Sequence, residues 1–294
     1  MKNILAESWS TIADDYAKVL VPRFEPWEAD ALGALQDAVN NDMKCARDNI
    51  SALVLCCGPG HELLPIAKIL GPSSKVLGTD LAPGMIAATR QRIEVECKME
   101  RNIEYQNCIT AEVGDAMDPP TGPYQVMFSA FGLQQLPQPV EAIKNWISVL
   151  QPGGVCVCIY WPPNPPKIPG EEDGPFELWG NLVKRKLGRE DKDDGRPWDE
   201  NIDGTVVAAG GIIIEDKFIT HEICWDNANN MFEGMSRAGP WHALRCRRGD
   251  EFVNDLGKEL QSLFPSGESL CHKFTARMVI DRRGREEQME SSKI

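Results

Sequence analysis

The fold is decided by residues 51–60, which read SALVLCCGPG. The first seven of these residues form a mostly apolar run of strand length, which Gly58 and Gly60 end with a turn. A helical pattern follows over residues 62–70 and is closed by a Gly-Pro pair. The order strand, glycine turn and helix predicts the first half of a βαβ unit.

The same unit recurs along the chain. Residues 75–80 predict a second strand that ends at Asp80, and Pro83 begins the next helix. Strands that are apolar throughout and separated by helices are typical of a parallel sheet covered on both faces. We therefore expect an α/β fold with a doubly wound, mostly parallel sheet. Further strands are predicted at residues 107–113, 124–129 and 155–161, and a helix at residues 139–150.

The pattern changes on both sides of this core. Pro22 and Pro26 interrupt the N-terminal helical pattern, which predicts two helices. Residues 162–175 hold six prolines, so a core strand is excluded there. We predict an N-terminal helical cap at residues 1–48, a cofactor-binding half at 49–161, an inserted lid at 162–200, the rest of the same domain at 201–282, and a flexible tail at 283–294.

Charge and hydropathy exclude several classes of protein. Lys and Arg number 31 against 44 Asp and Glu, and the net charge of −13 repels nucleic-acid phosphates. No apolar stretch approaches the ~20 residues that cross a bilayer, and the N-terminus turns polar too early for a signal peptide. We expect a cytoplasmic protein with no membrane span and no nucleic-acid partner, while the oligomeric state stays open.

The distribution of the cysteines indicates thiols packed in a hydrophobic core rather than a disulfide framework. All 10 are scattered, and Cys156 and Cys158 lie inside an apolar run. This distribution favours reduced thiols. Because no Cys-x-x-Cys motif occurs and the four histidines are far apart in sequence, we predict no metal site.

Gly58, Gly60 and Asp80 occupy the positions that bind a nucleoside in doubly wound sheets. The glycine turn lets the backbone approach the ligand, and the carboxylate at the end of the second strand accepts hydrogen bonds from both ribose hydroxyls. This arrangement predicts a nucleoside-type cofactor. The choice between a dinucleotide and S-adenosyl-L-methionine depends on the motifs that follow.

Those motifs are VLGTDLAPGM at residues 76–85, GDAM at 114–117, the strand and turn at 126–136, and VLQPGG at 149–154. In this order they resemble class I methyltransferases of the ubiquinone-biosynthesis and sterol-type small-molecule group. The resemblance covers residues 8–161 and continues more weakly to 282. It implies a seven-stranded Rossmann-like sheet, S-adenosyl-L-methionine as cofactor, and methyl transfer to a small-molecule acceptor by in-line displacement.

The resemblance also assigns cofactor contacts. Asp80 would hold the ribose diol, Met85 would pack on the adenine, and Asp115 with Ala116 would contact the adenine edge. Ser129 and Phe131 would border the methionine end. The predicted cofactor-binding set is Cys56, Gly58, Gly60, Asp80, Leu81, Met85, Asp115, Ala116, Ser129 and Phe131.

One motif departs from the family pattern. The family usually carries an acid two residues before its first glycine, where it helps to anchor the methionine amino group. This chain has Val54 and Cys56 at those two positions. Glu62, just after the turn, is a candidate substitute for the missing acid.

No general base stands out. Methyl transfer requires mainly positioning and exclusion of water, and a base is needed only where the acceptor must lose a proton. Gln134 and Gln135 lie where many relatives carry histidine. The catalytic candidates are His221, His242 and Gln135, followed by Glu222 and Asp226, and each histidine and acid is also compatible with a surface or core position.

Two other functions remain open from the sequence. A non-catalytic protein of the same fold would fit the departures at Val54 and Cys56. An NAD-dependent oxidoreductase is disfavoured because the turn lacks a full Gly-x-Gly-x-x-Gly. Five tryptophans lie in the second half of the chain, namely Trp161, Trp179, Trp198, Trp225 and Trp241. They are compatible either with an aromatic acceptor pocket or with a hydrophobic core.

Overall fold

The computed structural model describes residues 2–42, 49–169, 175–188, 197–264 and 267–285. Its strands are β1 (Ser51–Leu55), β2 (Lys75–Asp80), β3 (Ile109–Val113), β4 (Tyr124–Ala130), β5 (Leu150–Tyr160), β6 (Gly211–Trp225) and β7 (Leu270–Arg283). They form a seven-stranded sheet in the order β3-β2-β1-β4-β5-β7-β6. Neighbours pair in parallel from β3 to β5, and β7 runs antiparallel to both β5 and β6. The predicted doubly wound, mostly parallel fold is confirmed.

The central strand β1 explains why its sequence is apolar throughout. Ala52, Leu53, Val54 and Leu55 are each no more than 1% exposed, because helices cover both faces of the sheet. The chain winds outward in opposite directions from β1 and β4, which are neighbours. In open α/β sheets, ligands bind in the crevice that such a reversal leaves at the carboxyl ends of the strands.

Helices cover the sheet on both faces. One face carries α6 and α8, and the other carries α3, α4, α7, α9 and α11. None of the described helices combines the length and the apolar composition that crossing a bilayer requires. The helices are α1 (Lys2–Thr11), α2 (Ala13–Val19), α3 (Val21–Asp42), α4 (Leu63–Leu70), α5 (Pro83–Cys97), α6 (Pro139–Val149), α7 (Pro175–Lys186), α8 (Ile202–Ala208), α9 (Ala228–Ser236), α10 (Gly239–Arg248) and α11 (Asp250–Leu263).

The N-terminal prolines do not divide the chain as predicted. Three helices are present rather than two, and both prolines lie in α3. Pro22 is the second residue of that helix, where a missing N–H costs nothing. Pro26 lies inside the helix and removes one hydrogen bond. The helix continues through it because Trp27, Ala31 and Leu35 are all fully buried against the sheet.

The second half of the chain forms more regular structure than its sequence indicates. The sequence pattern indicates strands near residues 217–223 and 272–280. The structure has the longer strands β6 and β7 there, because the two pair along an antiparallel ladder from Gly211 to Trp225. Helix α10 was not predicted. Trp179 and Trp225 are 1% and 2% exposed, so both belong to the core.

A disulfide corrects the prediction that the cysteines are all reduced. Cys224 of β6 is joined to Cys271 of β7. The two residues face each other in the strand register, with Cα atoms 4.1 Å apart. The other described cysteines are free thiols, and among them Cys156 and Cys158 are buried as expected. The sequence separation of 47 hid the proximity of the two partners, which depends on the register of β6 against β7.

Candidate active site

A cleft of about 850 Å³ opens where β1 and β4 end, at the reversal of the strand order. The loops after β1, β2, β3 and β4 form its floor, and helices α1 and α2 form its cover. Its walls are largely apolar, which is typical of sites for small organic ligands. The lining residues are Leu5, Ala6, Trp9, Tyr16, Cys56, Gly58, Asp80, Leu81, Ala82, Met85, Asp115, Ala116, Ala130, Phe131, Gly132, Gln135, Leu136 and Pro137.

The structure brings most of the predicted cofactor residues together in this cleft. Eight of the ten line it, namely Cys56, Gly58, Asp80, Leu81, Met85, Asp115, Ala116 and Phe131. Gly60 lies in the turn behind the wall, and Ser129 is fully buried within β4. Gln135, one of the catalytic candidates, also lines the cleft.

The turn after β1 has a backbone that requires small residues. Gly58 and Gly60 have φ values of 50° and 77°, in the left-handed region that favours glycine. A Cβ on Gly60 would lie 2.5 Å from Cγ2 of Thr89. The hydroxyl of Thr89 donates to the carbonyl oxygen of Gly58 at 2.7 Å and closes the turn. Cys56, at the family's first glycine position, also has a positive φ of 54°.

Asp80 connects this turn to the end of β2. Its Oδ2 accepts a hydrogen bond from the Gly58 N–H at 3.0 Å, and its Oδ1 accepts one from the Ala82 N–H at 2.9 Å. Burial raises the pKa of Asp80, and the two N–H donors oppose that shift. Each oxygen accepts one bond from the backbone and keeps a second lone pair. The carboxylate therefore fits a ribose diol in the cleft.

The loop after β3 is fixed from behind by α6. The indole N–H of Trp146 donates to the carbonyl oxygen of Ala116 at 2.7 Å, and Asn145 donates to that of Met117 at 2.8 Å. Oδ1 of Asp115 accepts a bond from the Met117 N–H at 2.9 Å. These contacts hold Asp115 and Ala116 at the rim, as a site for a planar base requires.

A close contact between α1 and the start of α5 holds the cover of the cleft in place. The Gly84 N–H donates to the hydroxyl oxygen of Ser10 at 3.1 Å. A Cβ on Gly84 would lie 2.3 Å from the Ser10 carbonyl oxygen, so only glycine allows this approach. Trp9 packs edge-on against Tyr16 with ring centroids 5.1 Å apart. The described parts of residues 162–200 do not line the cleft.

A second cavity, of about 330 Å³, adjoins the cleft behind the glycine turn. The two share walls at Tyr16, Cys56, Gly58, Ala130 and Phe131. The second cavity also contains the carboxylates of Glu28 and Glu62 and the imidazole of His61. Burial and the neighbouring Arg92 lower the pKa of His61 to about 4. Glu28 could not be predicted from the sequence, because nothing in the pattern of α3 places it near the turn.

The histidine candidates lie away from both cavities. His221 is on β6, and its Nε2 lies 2.7 Å from Oδ2 of Asp30. His242 is on α10, with its Nδ1 3.7 Å from the sulfur of Cys246. Neither side chain lines the cleft or the second cavity. The other two candidates, Glu222 and Asp226, are exposed and also lie outside both.

The cleft holds few groups suited to proton transfer near neutral pH. Burial raises the pKa of Tyr16 and of Cys56 well above their ordinary values, so both stay protonated. Within the described chain, the one cluster close enough to hold a metal ion is Glu222, Cys224 and Cys271, and its sulfurs are joined in the disulfide. The site is thus built to bind and orient ligands rather than to exchange protons.

Comparison with known proteins gives consistent results. Residues 52–154 match the model of a methyltransferase domain. The demethylmenaquinone methyltransferase of Lactococcus lactis is 29% identical over 189 residues, 62% of this chain and 67% of that protein. The enzyme of the same name from Staphylococcus carnosus is 31% identical over 140 residues, 47% of this chain and 53% of its own length.

A solved structure has the same fold over nearly the whole chain. It is magnesium protoporphyrin IX methyltransferase from Synechocystis PCC 6803 with bound S-adenosylhomocysteine. The TM-score is 0.51 at 12% sequence identity, and the match covers 94% of this chain and 93% of that one. At such identity the likeness concerns the fold alone.

Proposed function

We propose that the chain is a class I S-adenosylmethionine-dependent methyltransferase, which transfers a methyl group to a small-molecule acceptor by in-line displacement. The observation that carries the proposal is Asp80, whose oxygens keep free lone pairs beside the glycine turn. When bound, S-adenosylmethionine supplies a methyl group on a positively charged sulfur and needs little further activation. The protein's task is to hold the two reactants in line.

We assign the cofactor contacts from the lining of the cleft. Asp80 binds the ribose hydroxyls, and Leu81 and Met85 pack on the adenine. Asp115 and Ala116 contact the adenine edge, from the loop that Trp146 anchors. The turn from Cys56 to Gly60 borders the methionine part, and Phe131 closes the end near the methyl group.

The acceptor belongs at the end of the cleft lined by Phe131 and Gln135. Phe131 stacks on Trp161 with ring centroids 4.4 Å apart, which fixes its ring. Gln135 supplies an amide that can orient a polar group of the acceptor. Leu5, Ala6 and Trp9 of α1 cover the cleft with apolar groups that exclude water. Both relatives are named for a small organic acceptor, which supports the same class here.

Removing the ribose hydroxyls from the ligand tests the assignment of Asp80. We expect S-adenosylhomocysteine to bind more tightly than its 2′,3′-dideoxy analogue by about 2–4 kcal/mol, since two hydrogen bonds to a carboxylate are lost. In Asp80→Asn this difference should shrink to about 1 kcal/mol or less. Calorimetric titration of both ligands into both proteins measures it.

The exposed Asp118 provides the matched control, because Asp118→Asn lies outside the cleft lining and should keep the full preference. An equal preference in the native protein and in Asp80→Asn would refute the assignment. The alternative of a non-catalytic binding protein predicts ligand binding without turnover. Methyl-labelled S-adenosylmethionine incubated with a small-molecule extract separates the two, because an enzyme yields labelled small molecules.

A further inference from the structure

The second cavity contains two carboxylates that the proposed function does not use. Glu28 comes from α3 and is 8% exposed, and Glu62 immediately precedes α4. Both line the cavity, which shares the walls of Cys56 and Gly58 with the cofactor cleft. The pair therefore lies directly behind the turn that borders the methionine part of the cofactor.

Neither carboxylate is paired with a cation in the described chain. Oε2 of Glu62 is buried without a hydrogen-bond partner. The charge of Arg92 lowers the pKa of both glutamates, but its guanidinium is hydrogen-bonded elsewhere, to Glu96 at 2.8 Å, to the Pro59 carbonyl oxygen at 3.2 Å and to His61 at 2.6 Å. The structure thus places two acidic groups in one small cavity, where the shared charge of Arg92 offsets them only in part.

Such an arrangement is costly in the free protein. Burial, with a contribution from Glu25, raises the pKa of Glu28 to about 7. Burial, followed by the charge of Glu28, raises the pKa of Glu62 well above its ordinary value. Buried carboxylates are stabilised when a cation with several donors binds between them. A primary ammonium has three N–H donors, which suits carboxylate oxygens on two sides.

The position of the pair also matters because the first motif lacks its usual acid. Val54 replaces the usual acid, and its side chain is 1% exposed in the core of the sheet. No carboxylate from β1 can therefore reach the methionine amino group. Negative charge is instead provided from the second cavity, next to the glycine turn. Glu62 lies just after the turn, and Glu28 lies on α3.

We propose that Glu28 and Glu62 together bind the ammonium group of the methionine part of the cofactor, in place of the acid that β1 lacks. The inference depends on the proposed function, because it takes S-adenosylmethionine as the ligand of the cleft. Other titratable groups around the pair are Tyr16, Glu25, Cys57, His61, Asp80 and Arg92. Of these, Arg92 is the positively charged group, and its guanidinium is hydrogen-bonded to Glu96, Pro59 and His61 rather than to either glutamate.

A ligand without the amino group tests the proposal. We expect the native protein to bind S-adenosylhomocysteine about tenfold or more tightly than its desamino analogue, which keeps the carboxylate, the sulfur and the nucleoside. In Glu62→Gln and in Glu28→Gln this preference should fall to about threefold or less. Glu25→Gln, on the exposed side of α3, is the control and should keep it.

Proton release gives a second, independent readout. At pH 7 the free pair retains part of a proton, and the arriving ammonium should displace it. Titration with S-adenosylhomocysteine in buffers of different ionisation enthalpy should detect this release in the native protein. In Glu62→Gln the release should decrease, and in the double variant Glu28→Gln/Glu62→Gln it should disappear. Both glutamine variants should fold, because each removes a buried charge without changing the shape of the side chain.

The outcomes separate the two proposals. If neither ligand binds, the proposed function fails and this inference fails with it. If both ligands bind and the preference is the same in the native protein and in the two glutamine variants, the function stands and this inference is overturned. A glutamine variant that loses only the binding of an amine acceptor also overturns it, because the pair would then serve the acceptor.

Discussion

The carboxyl group of Asp281 should make the protein less stable as the pH rises. Asp281 lies on β7 opposite Cys156 of β5 and is 3% exposed. Its Oδ1 is buried without a hydrogen-bond partner. Burial raises its pKa from 3.8 to about 7, and a hydrogen bond from Cys156 opposes part of that shift. The group belongs to the α6 and α8 face of the sheet, away from the cofactor cleft.

The sign and the size of the effect follow from this shift. The native pKa exceeds the unfolded value, so the protonated carboxyl contributes its full stability only below about pH 4. That contribution is lost as the pH rises through about 7. A shift of about three pKa units corresponds to about 4 kcal/mol, taken as an upper value. Asp281→Asn removes the titration, so its stability should change less with pH than that of the native protein.

Urea denaturation between pH 4.5 and 8.5 measures the difference. We expect the stability of the variant relative to that of the native protein to rise by about 3 kcal/mol across this range. The pH slope is the informative quantity, because any constant cost of the amide cancels. Asp203→Asn, on the exposed side of α8, is the control and should follow the native curve. Parallel curves for Asp281→Asn and the native protein would refute the reasoning.

Two substitutions test how the cleft is built. Gly60→Ala adds a Cβ 2.5 Å from Thr89 Cγ2 at a φ of 77°, so it should destabilise the fold by about 2–4 kcal/mol in urea denaturation, and a loss below 0.5 kcal/mol would contradict the turn geometry. Trp146→Phe removes the N–H that donates to Ala116, so it should lower the free energy of unfolding by about 2 kcal/mol. It should also weaken the binding of S-adenosylhomocysteine several-fold, as measured by calorimetry. Unchanged affinity would show that the anchor does not govern the adenine loop.

Much of the first half of the fold could be predicted from the sequence. Apolar runs such as Leu53 to Leu55 lie in central strands that helices cover on both faces. Their uninterrupted apolar sequence is therefore enough to identify them as strands. Glycine turns and the acid at Asp80 then locate the cleft, because the carboxyl ends of parallel strands meet at one edge. These features depend on residues that are near one another in sequence.

The features that were missed depend on long-range packing. Pro26 continues a helix because the residues after it are buried, which the local sequence does not reveal. Cys224 meets Cys271 only through the register of β6 and β7. Glu28 reaches the glycine turn because α3 packs across the sheet, and its own surroundings in the sequence give no sign of it.

The structure of the protein with bound S-adenosylhomocysteine tests the central claim most directly. The account predicts that the ribose hydroxyls lie within hydrogen-bond distance of Asp80 and that the adenine lies between Met85 and the loop at Asp115. It also predicts that the amino group lies beside Glu28 and Glu62. A ligand bound elsewhere, or one whose ribose faces away from Asp80, would contradict the account.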